Sequence, residues 1–457
     1  MERFYYVFAS ILLIFTISAQ ADEVVTGSYN AEILSEENKQ IVQNIIDKVN
    51  SDSSRWEKLA YFCDTFGPRL SGSENLENAL SWIEYQMNED GLDNVRSEEV
   101  MVPHWIRNNE HLKLISPYKG ELSMLGLGMS VPTPKEGITA EVLVVKDKEE
   151  LEARSEEAKG RIVLFDCDWE GYGKTVQYRV HGAIWAAQHG AIGSLMRSAS
   201  PVGYQLPHTG VMFYEDTVAK IPHAALSHEA SDILGRIASR GNYPVVNFYM
   251  GCETLPDALS HNVMGELRGS QNPEEILAIG GHIDSWDVGQ GAHDDASGSL
   301  GCWDAVKLLK DLGLTPKRTI RSVMWTNEEN GTMGGKTYAK LHKDEPHHLM
   351  FEFDSGVFPP NRIGFTGPDS MMAKLKMIEP LLKMINPDIE VTKGGGGVDI
   401  GPMMRLGIPG MSLGTNSDGK LFWYHHAELD TVDHVDPKHY NECIAAIAVA
   451  VYFYANF

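Results

Sequence analysis

The sequence predicts an α/β protein in which a mostly parallel sheet is flanked by helices and a second α/β module is inserted. Two observations carry this prediction. From residue 256 to 457, short apolar runs alternate with helical patterns, as parallel strands joined by helices do. Between residues 131 and 255 the sequence pattern changes to short β-rich runs divided by glycine and proline. The length of 457 residues also exceeds that of one ordinary domain.

The chain begins with the three parts of a secretory signal peptide. A single arginine, Arg3, precedes an almost wholly apolar run over 7–17, and the small residues Ala-Gln-Ala at 19–21 form a cleavage site. The apolar run is shorter than the roughly 20 residues that span a bilayer, although an uncleaved anchor is the alternative. We therefore predict a signal peptide over 1–21 and secretion, either out of the cell or into the lysosome or another secretory lumen.

The first part of the main domain is predicted over 22–130, and its acidic start is a candidate propeptide. Three helical patterns cover 31–51, 56–66 and 75–90, with turn-forming residues between the second and the third. This region therefore supplies helices that pack beside the strands of the main sheet.

The insertion over 131–255 and the last part of the chain over 256–457 both read as alternating strands and helices. In the insertion we predict strands at 139–145, 160–166, 223–227 and 245–249 and helices at 146–158 and 183–189. In the last part we predict strands at 276–281, 319–325 and 350–353 and helices at 296–309 and 441–454.

Charge and cysteine content exclude several kinds of partner. With 39 basic and 63 acidic residues the net charge is −24, which repels nucleic acid and anionic lipid. No later segment is long and apolar enough to predict a membrane span. The five cysteines form no CxxC pair, so a thiolate zinc site is not expected. We expect them to be buried as small apolar side chains, with two disulfides at most.

Polar residues gather where the predicted strands end. His282 follows the first strand of the last part, and Asp294 lies twelve residues later, beyond a glycine-rich loop. Because ligands bind beyond the carboxyl ends of strands in such sheets, these two side chains can converge on one cation. The small residues 296–298 then let the next helix start close beneath them.

The second and third strands end in carboxylates, and a histidine pair follows near the end of the chain. Glu328 and Glu329 are adjacent and must diverge, so one can bind a metal while the other faces a substrate. Asp354 follows the third strand, and His425 and His426 form the pair. None of these pieces is specific alone. Together, nitrogen and oxygen ligands without thiolate are typical of catalytic zinc.

Residues 256–457 resemble the di-zinc peptidases, the family that includes bacterial leucine aminopeptidase and the glutamate carboxypeptidases. The segments 281–291 and 422–426 carry this resemblance most strongly, and the insertion is similar to a protease-associated domain. The resemblance implies the zinc-peptidase fold, two zinc ions, short peptides as substrates and a homodimer.

Carried over by motif position, the resemblance implies a role for each candidate side chain. Asp294 would bridge two zinc ions and Glu328 would be the general base. Asp284 would orient His282, and Asp430 would support the site. The implied metal ligands are His282, Asp294, Glu329, Asp354 and His426.

Several features depart from the family pattern or add to it. His293 precedes Asp294 where the family has an apolar residue, so it is either a spectator or a perturbation. The glycosylation sequon at 330–332 adjoins Glu329, and we expect it to be buried or unused. The glycine run 394–397 is either a wall of the substrate pocket or a plain loop. Tyr424 is a candidate oxyanion donor.

The sequence therefore predicts a secreted di-zinc metallo-exopeptidase that hydrolyses dipeptides or short peptides. Three alternatives stay open. The first is a zinc aminopeptidase of broad specificity, which has the same metal chemistry. The second is a receptor-like protein on the same fold that has lost catalysis, which the intact ligand set and Glu328 disfavour. The third is a glutaminyl cyclase, which uses one zinc and is disfavoured by a two-metal ligand set.

Overall fold

The computed structural model describes residues 33–457. The predicted signal peptide over 1–21 and the start of the first predicted helix lie outside the described residues. Within them the chain forms two eight-stranded sheets with helices packed against them, which confirms the α/β class. No helix in this described part combines the length and apolarity that a membrane span requires.

The strands and helices are named here in chain order. The strands are β1 (Asp93–Ile106), β2 (Glu110–Ser116), β3 (Gly120–Leu122), β4 (Met124–Gly126), β5 (Ile138–Val145), β6 (Ile162–Phe165), β7 (Gly193–Arg197), β8 (His223–Leu226), β9 (Val245–Met250), β10 (Glu253–Leu267), β11 (Asn272–His282), β12 (Arg318–Trp325), β13 (His347–Glu352), β14 (Pro360–Thr366), β15 (Glu390–Lys393) and β16 (Gly410–Thr415). The helices are α1 (Glu36–Asn50), α2 (Ser54–Phe66), α3 (Glu74–Glu89), α4 (Lys148–Ala153), α5 (Ser155–Ala158), α6 (Tyr172–Gln188), α7 (His228–Ala238), α8 (Ser297–Asp311), α9 (Met333–His342), α10 (Asp369–Leu382), α11 (Gly401–Met404), α12 (Leu421–Tyr424) and α13 (Pro437–Asn456).

The main sheet has the strand order β1-β10-β12-β11-β13-β16-β14-β15. Its central strands β12, β11, β13 and β16 are parallel to one another. At their two sides β10 pairs antiparallel with β12 and β14 pairs antiparallel with β16, while β1 pairs antiparallel with β10. The central strands are buried almost throughout, as expected for a sheet covered on both faces. Their register places the end of β11 at His282 beside Trp325, the last residue of β12, so the polar loops that follow these strands share one edge of the sheet.

Helices cover both faces of this sheet. On one face α1, α2, α3, α8, α10 and α13 contribute to one large apolar core. On the other face α9 and α11 cover a smaller core around Trp325 and Tyr338. Ser35 and Ser73 cap α1 and α3 by accepting a hydrogen bond from a backbone N–H of the first turn, which explains where these helices begin.

The second sheet has the order β3-β2-β9-β5-β6-β7-β8-β4 and forms the insertion module. Its strands β5, β6, β7 and β8 are parallel, and α6 and α7 pack against them. The pairing of β2, β3 and β4 with this sheet leads us to propose that the module runs over 110–250 rather than over 131–255. The main domain is then formed by the segments on either side.

The helix expected at 183–189 is longer than its apolar pattern indicates. It starts at Tyr172, and its buried face contains Thr175, Arg179 and Gly182 before Ala183. Polar and small residues at buried positions give no apolar period, so its first half was missed. Residues 146–158, expected as one helix, form α4 and α5, which divide at Arg154.

Candidate metal centre

The candidate metal centre lies at the carboxyl ends of the central parallel strands. His282 is the last residue of β11, Glu328 and Glu329 lie in the loop after β12, and Asp354 follows β13. Asp294 lies in a buried turn immediately before α8. His426 arrives from the loop after α12 and has a φ of 62°, in the left-handed region. The topology therefore brings distant parts of the chain to one place.

The carboxylate of Asp294 stands between two histidines. Its Oδ1 is 3.1 Å from Nε2 of His282, and its Oδ2 is 3.3 Å from Nε2 of His426. Each oxygen of this one side chain thus faces a different imidazole, which is the arrangement a bridging ligand requires.

Asp354 and Glu329 complete the two sides. Oδ1 of Asp354 is 3.8 Å from Nε2 of His282, and Oε2 of Glu329 is 3.1 Å from Nε2 of His426. The structure thus brings the five side chains predicted as ligands together, as two groups that share Asp294. Two sets of potential ligand atoms, each with its atoms within 4.8 Å of one another, overlap at Asp294: one adds His425 and His426, and the other adds His282 and Glu329. A third set contains His282, Asp295 and Asp354.

The residues present fit zinc. They offer imidazole nitrogens and carboxylate oxygens, and the five cysteines are all buried and unpaired away from these sets. Oδ2 of Asp295 is buried without a hydrogen-bond partner in the described part of the chain, and Oδ2 of Asp294 has beside it only the imidazole nitrogens of His426, at 3.3 Å, and His425, at 3.5 Å. Because a buried carboxylate oxygen without a partner is costly, these atoms call for a cation.

The charges of the site lead to the same conclusion. Burial alone would raise the pKa of Asp294, but hydrogen bonds from His282 and His426 hold it well below its usual value. Burial and the neighbouring Asp294 raise the pKa of Glu329 to about 7. Burial and the charges of Glu329 and Asp354 raise the pKa of Glu328 well above its usual value. The centre therefore holds more acidic groups than its imidazoles can compensate.

Asp430 positions the backbone at Asp294. Its carboxylate accepts hydrogen bonds from the backbone N–H groups of His293, at 2.7 Å, and Asp294, at 3.1 Å. The start of α8 comes equally close to the sheet, because a Cβ at Gly298 would lie 1.9 Å from the carbonyl oxygen of Phe353. Only glycine fits there, in line with the small residues expected at this turn.

Asp284 contacts both His282 and the loop that carries Glu328 and Glu329. Its backbone carbonyl is 3.0 Å from Nδ1 of His282, while its carboxylate lies farther from the ring, at 3.7 Å. That carboxylate accepts the backbone N–H groups of Glu328, at 3.0 Å, and Glu329, at 3.3 Å. The carbonyl therefore orients the imidazole, as metal-binding histidines require, and the carboxylate orients the glutamate loop.

A cavity of about 560 Å³ opens in front of the centre. Glu328 and the candidate ligands Asp294, Glu329, Asp354 and His426 line one side of it. The insertion module lines the other side with Tyr172, Arg179, Val211 and Phe213. Sequence reasoning did not find these four residues, because nothing in their local pattern shows that the module folds over the site.

The module also holds the segment that carries the last histidine. Thr209 donates its backbone N–H to the carbonyl oxygen of His426 at 2.9 Å, and its own carbonyl is 3.2 Å from Nδ1 of that ring. Nδ1 of His208 is 2.7 Å from the carbonyl oxygen of His425, and the Ser200 hydroxyl donates to the carbonyl oxygen of Phe422 at 3.0 Å. His426 thus has its outer nitrogen fixed by the module.

Both histidines of the pair lie at the centre. His425 stacks on His426 with ring centroids 3.6 Å apart, and its Nε2 is 3.5 Å from Oδ2 of Asp294. Sequence reasoning chose His426 and left out His425. The adjacency of the two histidines was the only signal for the second one.

The other features singled out in the sequence have structural positions. The ring of His293 stacks on Phe358 and Tyr424, its Nδ1 accepts the backbone N–H of Val357, and the residue also lines the cavity. Tyr424 is packed in that stack and is not among the side chains that line the cavity. Asn330 of the sequon is buried, with 7% of its surface exposed, as expected.

The glycine run 394–397 lies beside the site, and the residue after it reaches the cavity. Val398 lines the cavity, and its backbone N–H donates to Glu352 at 2.8 Å. A Cβ at Gly397 would meet the Glu352 carboxylate at 2.1 Å, so glycine is required for this close approach.

Comparison with known proteins places this geometry in a family. Residues 262–451 match the sequence model of peptidase family M28. Carboxypeptidase Q of Mus musculus is 45% identical over 403 residues, which cover 88% of this chain and 85% of that protein. The crystal structure of a peptidase M28 precursor from Shewanella amazonensis superposes with a TM-score of 0.88 at 32% identity, covering 92% of this chain and 97% of that one.

A more distant structure shares the fold. A zinc aminopeptidase from Bacillus subtilis superposes with a TM-score of 0.64 at 18% identity, covering 87% of this chain and 94% of that one. Together with the closer relatives, this likeness confirms the zinc-peptidase fold that the sequence predicts.

Proposed function

The chain belongs to the carboxypeptidase Q group of peptidase family M28, and on that premise we propose that it is a di-zinc exopeptidase that cleaves dipeptides and short peptides. Membership makes it a metallo-exopeptidase with peptide substrates. The number of zinc ions, the role of each side chain and the preferred peptide length are our proposal.

The observation that carries the proposal is the position of Asp294. Its two carboxylate oxygens face His282 and His426 at 3.1 and 3.3 Å, from opposite sides. One zinc ion would be held by His282, Asp294 and Asp354, and the other by Asp294, Glu329 and His426. When bound there, the metal would supply Lewis-acid chemistry: it would lower the pKa of a bound water molecule and polarise the scissile carbonyl.

Glu328 is the general base in this proposal. Its neighbour Glu329 is directed at Nε2 of His426, at 3.1 Å, whereas Glu328 lines the cavity. No hydrogen-bond donor reaches the carboxylate of Glu328 from residues 33–457, so it is free to accept a proton from water. It then delivers that proton to the leaving amine, which is ordinary general acid–base catalysis. The carboxylate of Asp284 holds Glu328 in place by accepting the backbone N–H of Glu328.

The remaining parts of the proposal concern cleavage preference, route and assembly. Dipeptides and short peptides are proposed because the insertion module covers the cavity opposite the metal ligands. A broad aminopeptidase is the alternative, since it would use the same centre. We also propose secretion, supported by the signal-like residues 1–21, and a homodimer, which the family resemblance of the sequence implies. Sedimentation of the purified protein would test the dimer.

Metal content and one substitution test the proposal together. We expect about two zinc ions per chain, since the centre offers two overlapping ligand sets. Glu328→Gln should keep that zinc and lose roughly 100- to 10,000-fold in kcat, because only proton transfer is removed. The measurements are elemental analysis and hydrolysis of a free dipeptide. Glu99→Gln, at an exposed position of β1, is the matched control and should change neither.

The proposal fails if the protein stays fully active after exhaustive chelation. If the Glu328→Gln enzyme has wild-type kcat, another group is the base. An unblocked dipeptide that is untouched while an aminoacyl amide is cleaved would favour the aminopeptidase alternative.

A further inference from the structure

Arg179 is a buried cation that faces the cavity of the metal centre from the insertion module. It lies on α6, lines the cavity and has 6% of its surface exposed. Its NH1 atom is 3.3 Å from the carbonyl oxygen of Thr209 and 3.1 Å from Nδ1 of His426. Its Nε is buried without a hydrogen-bond partner in the part of the chain that the structure describes.

This guanidinium lacks the counter-ion that burial calls for. Across residues 33–457, no aspartate or glutamate oxygen lies within 4.0 Å of it. Arg321, which is buried to a similar degree, contacts both Glu266 and Glu345 at 2.8 Å. Because an unpaired buried charge is costly, the geometry around Arg179 is that of a site that receives an anion.

The position of Arg179 limits what that anion can be. Nε2 of His426 faces Asp294 and Glu329, while Nδ1 of the same ring faces Arg179. The guanidinium therefore lies one imidazole ring away from the proposed metal position. An anionic group bound there would therefore lie close to the reacting end of a peptide substrate.

We propose that Arg179 is a specificity-determining residue that binds the free α-carboxylate of the residue released from a dipeptide. This inference rests on the proposed function and deepens it, because it sets a preference for an unblocked carboxyl terminus. A guanidinium suits this task, since its planar fork matches a carboxylate in two hydrogen bonds. The carboxylates Glu328, Glu329 and Asp354, which line the same cavity, repel an anion from its other parts.

Lys336 is the other cation that lines the cavity, and it is a weaker candidate. Its ammonium group donates to the carbonyl oxygen of Gly331 at 2.9 Å, and that hydrogen bond is solvent-exposed. A flexible, hydrated lysine also gains less from an anion than a buried guanidinium does. Lys336→Met therefore serves as the comparison variant.

The test compares a free dipeptide with the amide of the same dipeptide. In the wild type, kcat/KM should be higher for the free dipeptide. In Arg179→Gln the ratio of the two kcat/KM values should fall roughly 10- to 100-fold, the loss typical of a hydrogen bond to a charged group. Arg179→Lys should retain part of the preference. Arg161→Gln, an arginine of the module that pairs with Glu141 away from the cavity, should change neither value.

The outcomes separate this inference from the function on which it rests. An equal fall for both substrates in Arg179→Gln would leave Arg179 only the role of supporting His426 and overturn the inference. A change of the ratio in Lys336→Met instead would place the anion on α9 and overturn it too. A wild type that cleaves neither substrate would refute the proposed function itself.

A measurement on the wild type covers the case in which Arg179→Gln does not fold. The free amino acid released as product should inhibit at a concentration about tenfold lower than its amide does, since one charge-assisted hydrogen bond is worth at least that factor. Equal inhibition by acid and amide would overturn the inference without any variant.

Discussion

The main sheet and the insertion module contain the same element, four adjacent parallel strands, yet only one of them carries a metal centre. In the module, Asp166 follows β6 as Asp354 follows β13. Asp166, however, accepts hydrogen bonds from Arg197 at 3.0 Å and from the Ser231 hydroxyl at 2.6 Å. In the described chain, no lysine or arginine lies within 4.0 Å of Asp294, Glu329 or Asp354.

The difference shows what makes a strand end into a site. The carboxyl edge of a parallel sheet is a general place for polar side chains. The module neutralises the acid at that edge with a cation of its own. The main sheet leaves several acids without one, so its charge is balanced only when metal ions bind.

The largest effect is expected from Asp294→Ala. This change removes the one carboxylate shared by both ligand groups, so zinc content should fall from about two ions per chain to below one. Activity should fall by more than the roughly 100-fold that loss of a supporting group costs, and we expect at least about 1,000-fold. Elemental analysis and dipeptide hydrolysis measure both. Retention of two zinc ions would show that Asp294 does not bridge them. The contrast drawn between the strand ends of the main sheet and those of the module would then be wrong.

A pH effect of intermediate size is expected in the module, at a histidine outside the candidate ligand set. Burial lowers the pKa of His223 to about 4, against about 6.5 in an unfolded chain. The unfolded state therefore binds the proton first on acidification. Stability from the neutral ring is complete above pH 6.5 and is lost as the pH falls towards 4, by up to about 3 kcal/mol.

His223→Gln isolates this contribution, because the variant cannot take up that proton. The difference in unfolding free energy between wild type and variant should narrow by about 2–3 kcal/mol from pH 7 to pH 4.5. Urea denaturation of both metal-free proteins at the two pH values measures it. A difference that stays constant with pH would show that His223 is not held neutral.

The smallest effect is expected from Asp166→Ala, the counterpart of Asp294→Ala in the module. The ion pair between Asp166 and Arg197 is partly exposed. In the variant Arg197 would still pair with Asp232, which lies 2.6 Å away. Stability should therefore fall by about 1 kcal/mol, with zinc content and kcat unchanged. Thermal unfolding and the dipeptide assay measure these. Loss of zinc in this variant would show that the acidic group at the end of β6 influences the metal centre of the main sheet.

The sequence predicted the strand ends well because that part of the problem is local. The strands that end at His282 and Trp325 close in short, mostly apolar segments, 276–281 and 323–325, and polar loops follow them directly. Family resemblance then supplied what periodicity alone could not, the roles of Asp294 and His426. The five side chains proposed as ligands do meet in the structure.

The module's part in the site could not be predicted, because it depends on long-range packing. Arg179 and Thr209 lie more than two hundred residues before His426, in segments without an apolar period. Strands β14, β15 and β16 and helix α10 were missed as well. These strands are short, and α10 contains an internal proline, Pro380, which a local pattern treats as a breaker.

Hydrogen bonds join the segment 200–209 of the module to the segment 422–426, which carries His426. Metal binding and docking of the module are therefore thermodynamically coupled. Whatever loosens the module frees the outer nitrogen of His426, and whatever fills the metal position makes undocking harder by the same free energy. Excision of residues 110–250 would therefore yield not a minimal enzyme but a scaffold with an unbraced ligand.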